Sequence, residues 1–184
     1  MRDELMALVG HLEPRWRHVD AVGRLAEDLA ASTPKVSGLI VEAAWWHDVG
    51  YAPELRTTGH HAIDGARYLQ KRGHHPEVVS LVAWHTGSAF EAEERGLSGE
   101  LAEFRQPDSD ALDVLTLIDL STGPRGEPIA SSQRVAEILD RYPSDSPVHR
   151  AVLSSQPSIL AAAARARLAL GLADDWPIGS VGHR

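Results

Sequence analysis

Residues 43–53 read AAWWHDVGYAP, an apolar run interrupted by two adjacent polar groups. The apolar run GLIVEAAWW at 38–46 has the pattern of a buried helix, yet it leads straight into His47 and Asp48, with Gly50 behind them. A carboxylate buried without compensation costs roughly several kcal/mol and would normally take up a proton. Something must therefore satisfy this pair.

Outward from this stretch, apolar residues recur at helical spacing throughout. Residues 2–12 predict a short helix before Pro14. RWRHVDAVGRLAEDLAAS at 15–32 carries a stripe through Val22, Leu25, Ala26 and Leu29. Thr33 and Pro34 have the character of a cap and a first-turn proline. The helix they open is expected to run to about Val49, with Gly50 just past its end. HAIDGARYLQKRG ends at Gly73, PEVVSLVAWHTG at Gly87 and SDALDVLTLIDLSTG at Gly123. The polar stretch 87–108 reads as a surface excursion with room for one or two short helices. ASSQRVAEILDRY, SPVHRAVLSSQ and PSILAAAARARLALGLA complete the set, with Pro157 at the start of the last. The expected fold is all-α, a single helical domain over residues 1–173 followed by a loosely ordered tail at 174–184.

The composition narrows the function. There are no cysteines, which excludes disulfides, thiolate metal sites and a thiol nucleophile, and which suits a cytoplasmic protein. A net charge of -8 argues against non-specific binding to nucleic acid or to an anionic membrane. No apolar run is long enough to span a bilayer, because GLIVEAAWW is broken by Glu42 and the last helix by Arg165 and Arg167. The start, MRDELMALVGHLEP, lacks the basic flank and long apolar run of a signal peptide.

Four residues sit on apolar helices where they demand a partner: His18, His47, Asp48 and Asp119. Asp48 and Asp119 are both expected in the last turn of a helix, where the macrodipole disfavours a carboxylate by roughly 0.3–1 kcal/mol. A shared divalent cation would answer for all four. Two imidazoles and two carboxylates suit manganese, iron, cobalt, nickel or zinc better than calcium. Taken singly, each residue also has a plainer role, as a hydrogen-bonded core histidine or as an aspartate that meets an arginine or caps a helix.

The ordered set RHVDAVGRLA, AAWWHDVGYAP, HHAIDGARYL, LVAWHTG and LTLIDLSTGP, across roughly residues 15–140, resembles the HD-domain superfamily of metal-dependent phosphohydrolases. The resemblance implies a helical domain of the HD type in which His18, His47, Asp48 and Asp119 hold a metal. His61 and His85 fall where some members place histidines that hold a second metal or touch the phosphate. By the same resemblance, Asp48, His61 and His85 are the candidate catalytic residues. Where two-metal members commonly carry a His-His pair, this chain has Trp84-His85, so one ion per chain is expected.

The expected activity is hydrolysis of a phosphate ester in a nucleotide or related small metabolite, with no nucleic-acid polymer and no membrane as partner. Two alternatives are a di-iron oxygenase of the HD type and a non-catalytic helical module that binds metal or nucleotide. Arg17, Arg56, Arg67 and Arg125 are candidate phosphate clamps. Trp45, Trp46 and Trp84 read as core. His60 reads as a capping residue, and His11, His74, His75, His149 and His183 as surface or structural.

Overall fold

The computed structural model describes residues 1–178, and all its regular elements are helical. In chain order they are α1 (Arg2–Val9), α2 (Arg15–Ser32), α3 (Gly38–Trp46), α4 (His61–Lys71), α5 (Pro76–Trp84), α6 (Ser88–Glu94), α7 (Ser98–Leu101), α8 (Ser109–Leu120), α9 (Ser131–Arg141) and α10 (Pro147–Leu170). An isolated bridge between Thr122 and Pro128 closes the turn after α8. One continuous apolar core takes residues from α1 (Leu5) through to α10 (Ala166). No helix among the described residues is long and apolar enough to cross a membrane.

Helix α8 is the axis of the fold. Every residue from Asp113 to Leu120 is buried, and α2, α3, α5, α9 and α10 all pack against it. Asp108 opens it, its carboxylate accepting from the amides of Asp110 and Ala111. Helices α2 and α3 approach closely because Gly23 has no side chain. A Cβ there would lie 2.2 Å from the ring of Trp45.

The turn after α3 departs from the expected continuous helix. Ser37, rather than Thr33 or Pro34, caps α3, its side chain accepting from the Ile40 amide. The helix ends at Trp46, His47 is its C-cap, and Asp48 (φ -103, ψ 9) lies outside it, ahead of a 3-10 turn at Val49–Tyr51. Gly50 therefore does not terminate the helix. It allows the chain to press on α4, since a Cβ at Gly50 would sit 1.9 Å from the His61 carbonyl oxygen and 2.6 Å from the Gly65 nitrogen. The glycines of VGY and DGA thus seat Asp48 against the helix that begins with His61.

Three further expectations change. The 87–108 stretch is less of a surface excursion than its polarity implied. It holds α6 and α7, buries Ala92, Leu101 and Phe104, and packs α6 on α10. Pro157 lies inside α10 instead of starting a new helix. It is tolerated on the exposed face, where Leu153, whose carbonyl loses its bond, is also exposed and open to water. Helix α5 does not run to Gly87: it ends at Trp84, and His85 opens a distorted 3-10 turn at His85–Gly87. His85 is the C-cap of α5 in an extended conformation, followed by Thr86 at φ 37 and Gly87 at φ 77. In the expected tail, Trp176 is partly buried against the core, and residues 179–184, with His183, lie outside the described residues.

Candidate active site

The four residues singled out first converge from three places in the chain. His18 comes from the first turns of α2, His47 and Asp48 from the end of α3, and Asp119 from the last turn of α8. All are buried. His18 Nε2 is 3.0 Å from Asp119 Oδ1 and 3.3 Å from His47 Nε2. Asp48 Oδ2 is 3.4 Å from His47 Nε2 and 3.9 Å from His18 Nε2.

His61 and His85 join the same cluster. His61 Nε2 is 3.3 Å from His85 Nε2 and 3.5 Å from Asp48 Oδ1, and His85 Nε2 is 4.0 Å from that oxygen. Donor atoms of His18, His47 and Asp119 form one group that could hold a metal, and those of Asp48, His61 and His85 form another. Asp48 turns one oxygen to each group.

The tautomers show what the centre lacks. A carbonyl can only accept, so the ring nitrogens facing one must carry hydrogen. His18 Nδ1 donates to Gly123 O (3.2 Å), His47 Nδ1 to Ala44 O (2.8 Å) and His85 Nδ1 to Val82 O (2.7 Å). In the neutral imidazole this leaves each Nε2 a bare acceptor. Bare nitrogens then face one another and the carboxylates with no hydrogen between them. Ligands about 2.0–2.2 Å from one ion, at right to tetrahedral angles, stand roughly 2.8–3.6 Å apart, and the closest contacts here fall in that range. The donor set fits a divalent transition metal.

The electrostatics agree in direction. Burial pushes the carboxyls up, but Arg15 and His47 hold Asp48 well below the usual range, and His18 and His47 do the same for Asp119. Burial holds His18, His61 and His85 below the ordinary imidazole value. It also pushes His47 down, but Asp48 and Asp119 outweigh it and lift that imidazole to about 9. A proton on His47 is thus the metal-free answer to the same excess of acceptors. It is a poor one, because one proton cannot serve His18 Nε2, Asp48 and Asp119 together.

A stack of flat groups holds His61. Arg15 lies over Tyr51 with its guanidinium carbon 3.9 Å from the ring centre. Tyr51 stacks on His61 at 4.2 Å and 18°, and His61 lies parallel to His60. His60 itself caps α4, its ring accepting from the Ile63 amide and donating to the Ser88 carbonyl.

Among the arginines expected as clamps, Arg56 lines the space beside the centre. Arg17 pairs with Glu13, Arg67 with Glu103, and Arg125 is exposed, so none of these three reaches it. The residues that do were not singled out. Arg15 donates to Asp48 Oδ2 at 2.6 Å, and Arg134, Arg141, Tyr51 and Tyr142 line the cavity over the centre. Only Arg15 left a signal in the sequence, three residues before His18 and so on the same helical face. Of the remaining histidines, His74 pairs with Glu42, His75 caps α5, and His149 donates to carbonyls at the end of α9.

A model of the HD domain family matches residues 15–145, most of the chain. The chain belongs to the HD domain family. That family is one of metal-dependent phosphohydrolases with an all-α fold, and the fold of this chain agrees. Among curated relatives of this HD domain are the proteins named Ribonuclease Y from Streptococcus pyogenes serotype M5 (strain Manfredo) and serotype M1. Each is 31% identical over 94 residues, which is 47% of this chain and 18% of the relative. The match thus spans less than a fifth of those proteins. No solved structure matches the chain.

Proposed function

We propose that this HD domain hydrolyses a phosphate ester of a small metabolite, a nucleotide or a compound of similar size. The observation that carries the reading is the convergence of bare imidazole nitrogens and two carboxylates beneath a cavity lined by arginines. His18, His47, Asp48 and Asp119 hold one divalent ion, in keeping with the sequence. Asp48, His61 and His85 form a weaker second place, since it has three donors and shares its only carboxylate.

When bound, the ion supplies Lewis acidity, which acidifies water and neutralises charge on the phosphoryl oxygens. The protein's own groups do the rest. Arg15 fixes Asp48 by a 2.6 Å bond and presents its remaining donors to the cavity. The carboxylate of Asp48 orients the attacking water. The water oxygen bonds to phosphorus and gives up a proton, the bond from phosphorus to the ester oxygen breaks, and that oxygen takes up the proton, giving inorganic phosphate and an alcohol. His61 is placed to pass that proton. It faces the cavity, and its ring is positioned by Tyr51 and His60 rather than by a backbone carbonyl.

Two observations favour a small substrate over an RNA chain, the substrate that the relatives' name brings to mind. The cavity over the centre is about 90 Å³, below the roughly 300–1,000 Å³ of pockets that enclose drug-sized ligands. It suits a terminal phosphoryl group, which a small monoester presents and an internal RNA phosphodiester, flanked by a nucleotide on each side, does not. The net charge of -8 also opposes a polyanion.

The test is metal content by mass spectrometry on chain purified without chelator, beside a His47→Ala/Asp48→Ala control, followed by phosphate release from a panel of phosphate monoesters and by cleavage of a short RNA. The expected result is a transition metal lost in the control and phosphate released from a small ester. Oxygen consumption by iron-loaded chain without phosphate release would overturn the reading in favour of an oxygenase. Metal without any turnover would make the chain a binding module.

A further inference from the structure

Next to the catalytic cavity lies a second chamber of about 280 Å³, which shares with it Arg15, His18, Tyr51, Arg134 and Arg141 and adds Arg56. Four guanidiniums face this space in a protein whose net charge is -8. Their partners do not neutralise them. Arg15 is matched by Asp48, and Arg134 and Arg141 share the single carboxylate of Glu137. Glu13, the chamber's one acid, is taken by Arg17. Arg56 has no carboxylate partner among the described residues. A surplus of two positive charges is left, the charge of a phosphate dianion.

Arg134 makes this more than a solvated patch. Its side chain is only 4% exposed. Nη1 reaches Glu137, but Nε is buried with no hydrogen-bond partner. A buried guanidinium with unmade hydrogen bonds is costly, more so than a neutral donor in the same position. A tetrahedral oxyanion accepts from several forked donors at once.

We propose that this chamber is a second phosphate subsite, formed by Arg134, Arg56 and Arg141, and that the substrate is a small molecule carrying two phosphate groups. The inference rests on the phosphohydrolase reading. One phosphate lies at the histidine–aspartate centre and is cleaved. The other stays in the chamber and sets affinity.

The experiment is calorimetric titration of the full, metal-loaded chain with non-hydrolysable alkane bisphosphonates of graded spacer length, each against its matched alkyl monophosphonate. One spacer length is expected to bind roughly 10–100-fold more tightly than its monophosphonate, the gain of a charge-assisted contact. Arg134→Gln is expected to collapse that preference. Arg56→Gln, on an exposed side chain with little bearing on folding, is expected to reduce it and tests the idea even where the Arg134 variant fails to fold. No preference at any spacer length, or a preference that survives both substitutions in folded protein, overturns the subsite. Turnover of the corresponding phosphates is read in parallel, with the preference expected in KM rather than kcat. A bisphosphonate preference with no hydrolysis of any phosphate ester would overturn the phosphohydrolase reading and leave the subsite standing.

Discussion

Two cavities of this molecule differ in the state of the polar groups that line them. One, of about 620 Å³, lies between α8, α10 and the start of α3, floored by Leu39, Ile40, Leu81 and Val114. The charges around it are largely satisfied within the chain. Arg165 forks onto Asp113 at 2.7 and 2.8 Å, Glu77 accepts from Arg105 and from the Asp108 amide, and Lys35 donates to the Ala169 carbonyl. The other, of about 90 Å³, is lined by histidine nitrogens and carboxylates with no hydrogen to share. Volume alone would choose the first. Unmet hydrogen-bonding and charge choose the second, because a buried polar group without a partner is costly and a ligand removes that cost.

The sharpest way to break this contrast is Asp48→Asn, which keeps the volume and removes the charge. Asp48 serves both donor groups, so metal binding is expected to vanish and phosphate release to fall to background, with the helical circular-dichroism spectrum intact. Metal content near one ion per chain in the variant would show that Asp48 is only a partner for Arg15.

His85→Ala separates the two groups. A metal titration of the wild-type chain is expected in two phases, a tight one and a weaker one, and the variant is expected to lose the weaker phase alone. A single phase in the wild type, unchanged by the substitution, would reduce His85 to a helix-end residue.

Much of this was legible beforehand, for a local reason. Helical periodicity depends on near neighbours, so α2, α5 and α8 stand out, and His18, Asp48 and Asp119 stand out as misfits on apolar runs. What stayed hidden depends on distant parts of the chain. Gly50 reads as a helix stop, whereas its role is set by the approach of α4, a segment that sequence spacing does not place. Arg134 and Glu137 lie three apart on an amphipathic helix, a spacing common on solvated faces that gives no sign of burial. Only when α9 folds over the site does that arginine become buried. Pro157 reads as a helix start because local propensity favours it there, and packing of α10 on α8 and α6 overrides that preference.

Asp64 is a buried polar group whose needs are met within the chain. Its buried carboxylate accepts from the Thr57 and Thr58 hydroxyls and from the Thr58 and Gly59 amides, fastening the loop that leads into His60 and His61. Asp64→Ala leaves those donors unmet and is expected to cost about 1–3 kcal/mol by denaturant unfolding. Burial pushes this carboxyl up, but the bonds from Thr57 and Thr58 outweigh it and hold it below its ordinary 3.8. The folded state thus favours the charged form. Its contribution is full above about pH 4 and is lost as the pH falls through the lowered value. Asp64→Asn is expected to flatten that part of the acid limb, and an unchanged limb would mean the bonds matter little.

The smallest effect is expected at the larger cavity. Arg165→Ala removes the fork onto Asp113, but the Arg165 side chain is 62% exposed, and water replaces most of what an exposed pair supplies. Metal content, phosphate release and the bisphosphonate preference should all match the wild type, and the melting temperature should move little. That outcome would leave the large cavity as a consequence of how α10 crosses α8. A clear loss of phosphate release in this variant would break the contrast, because it would tie the centre to a cavity whose polar groups already have their partners.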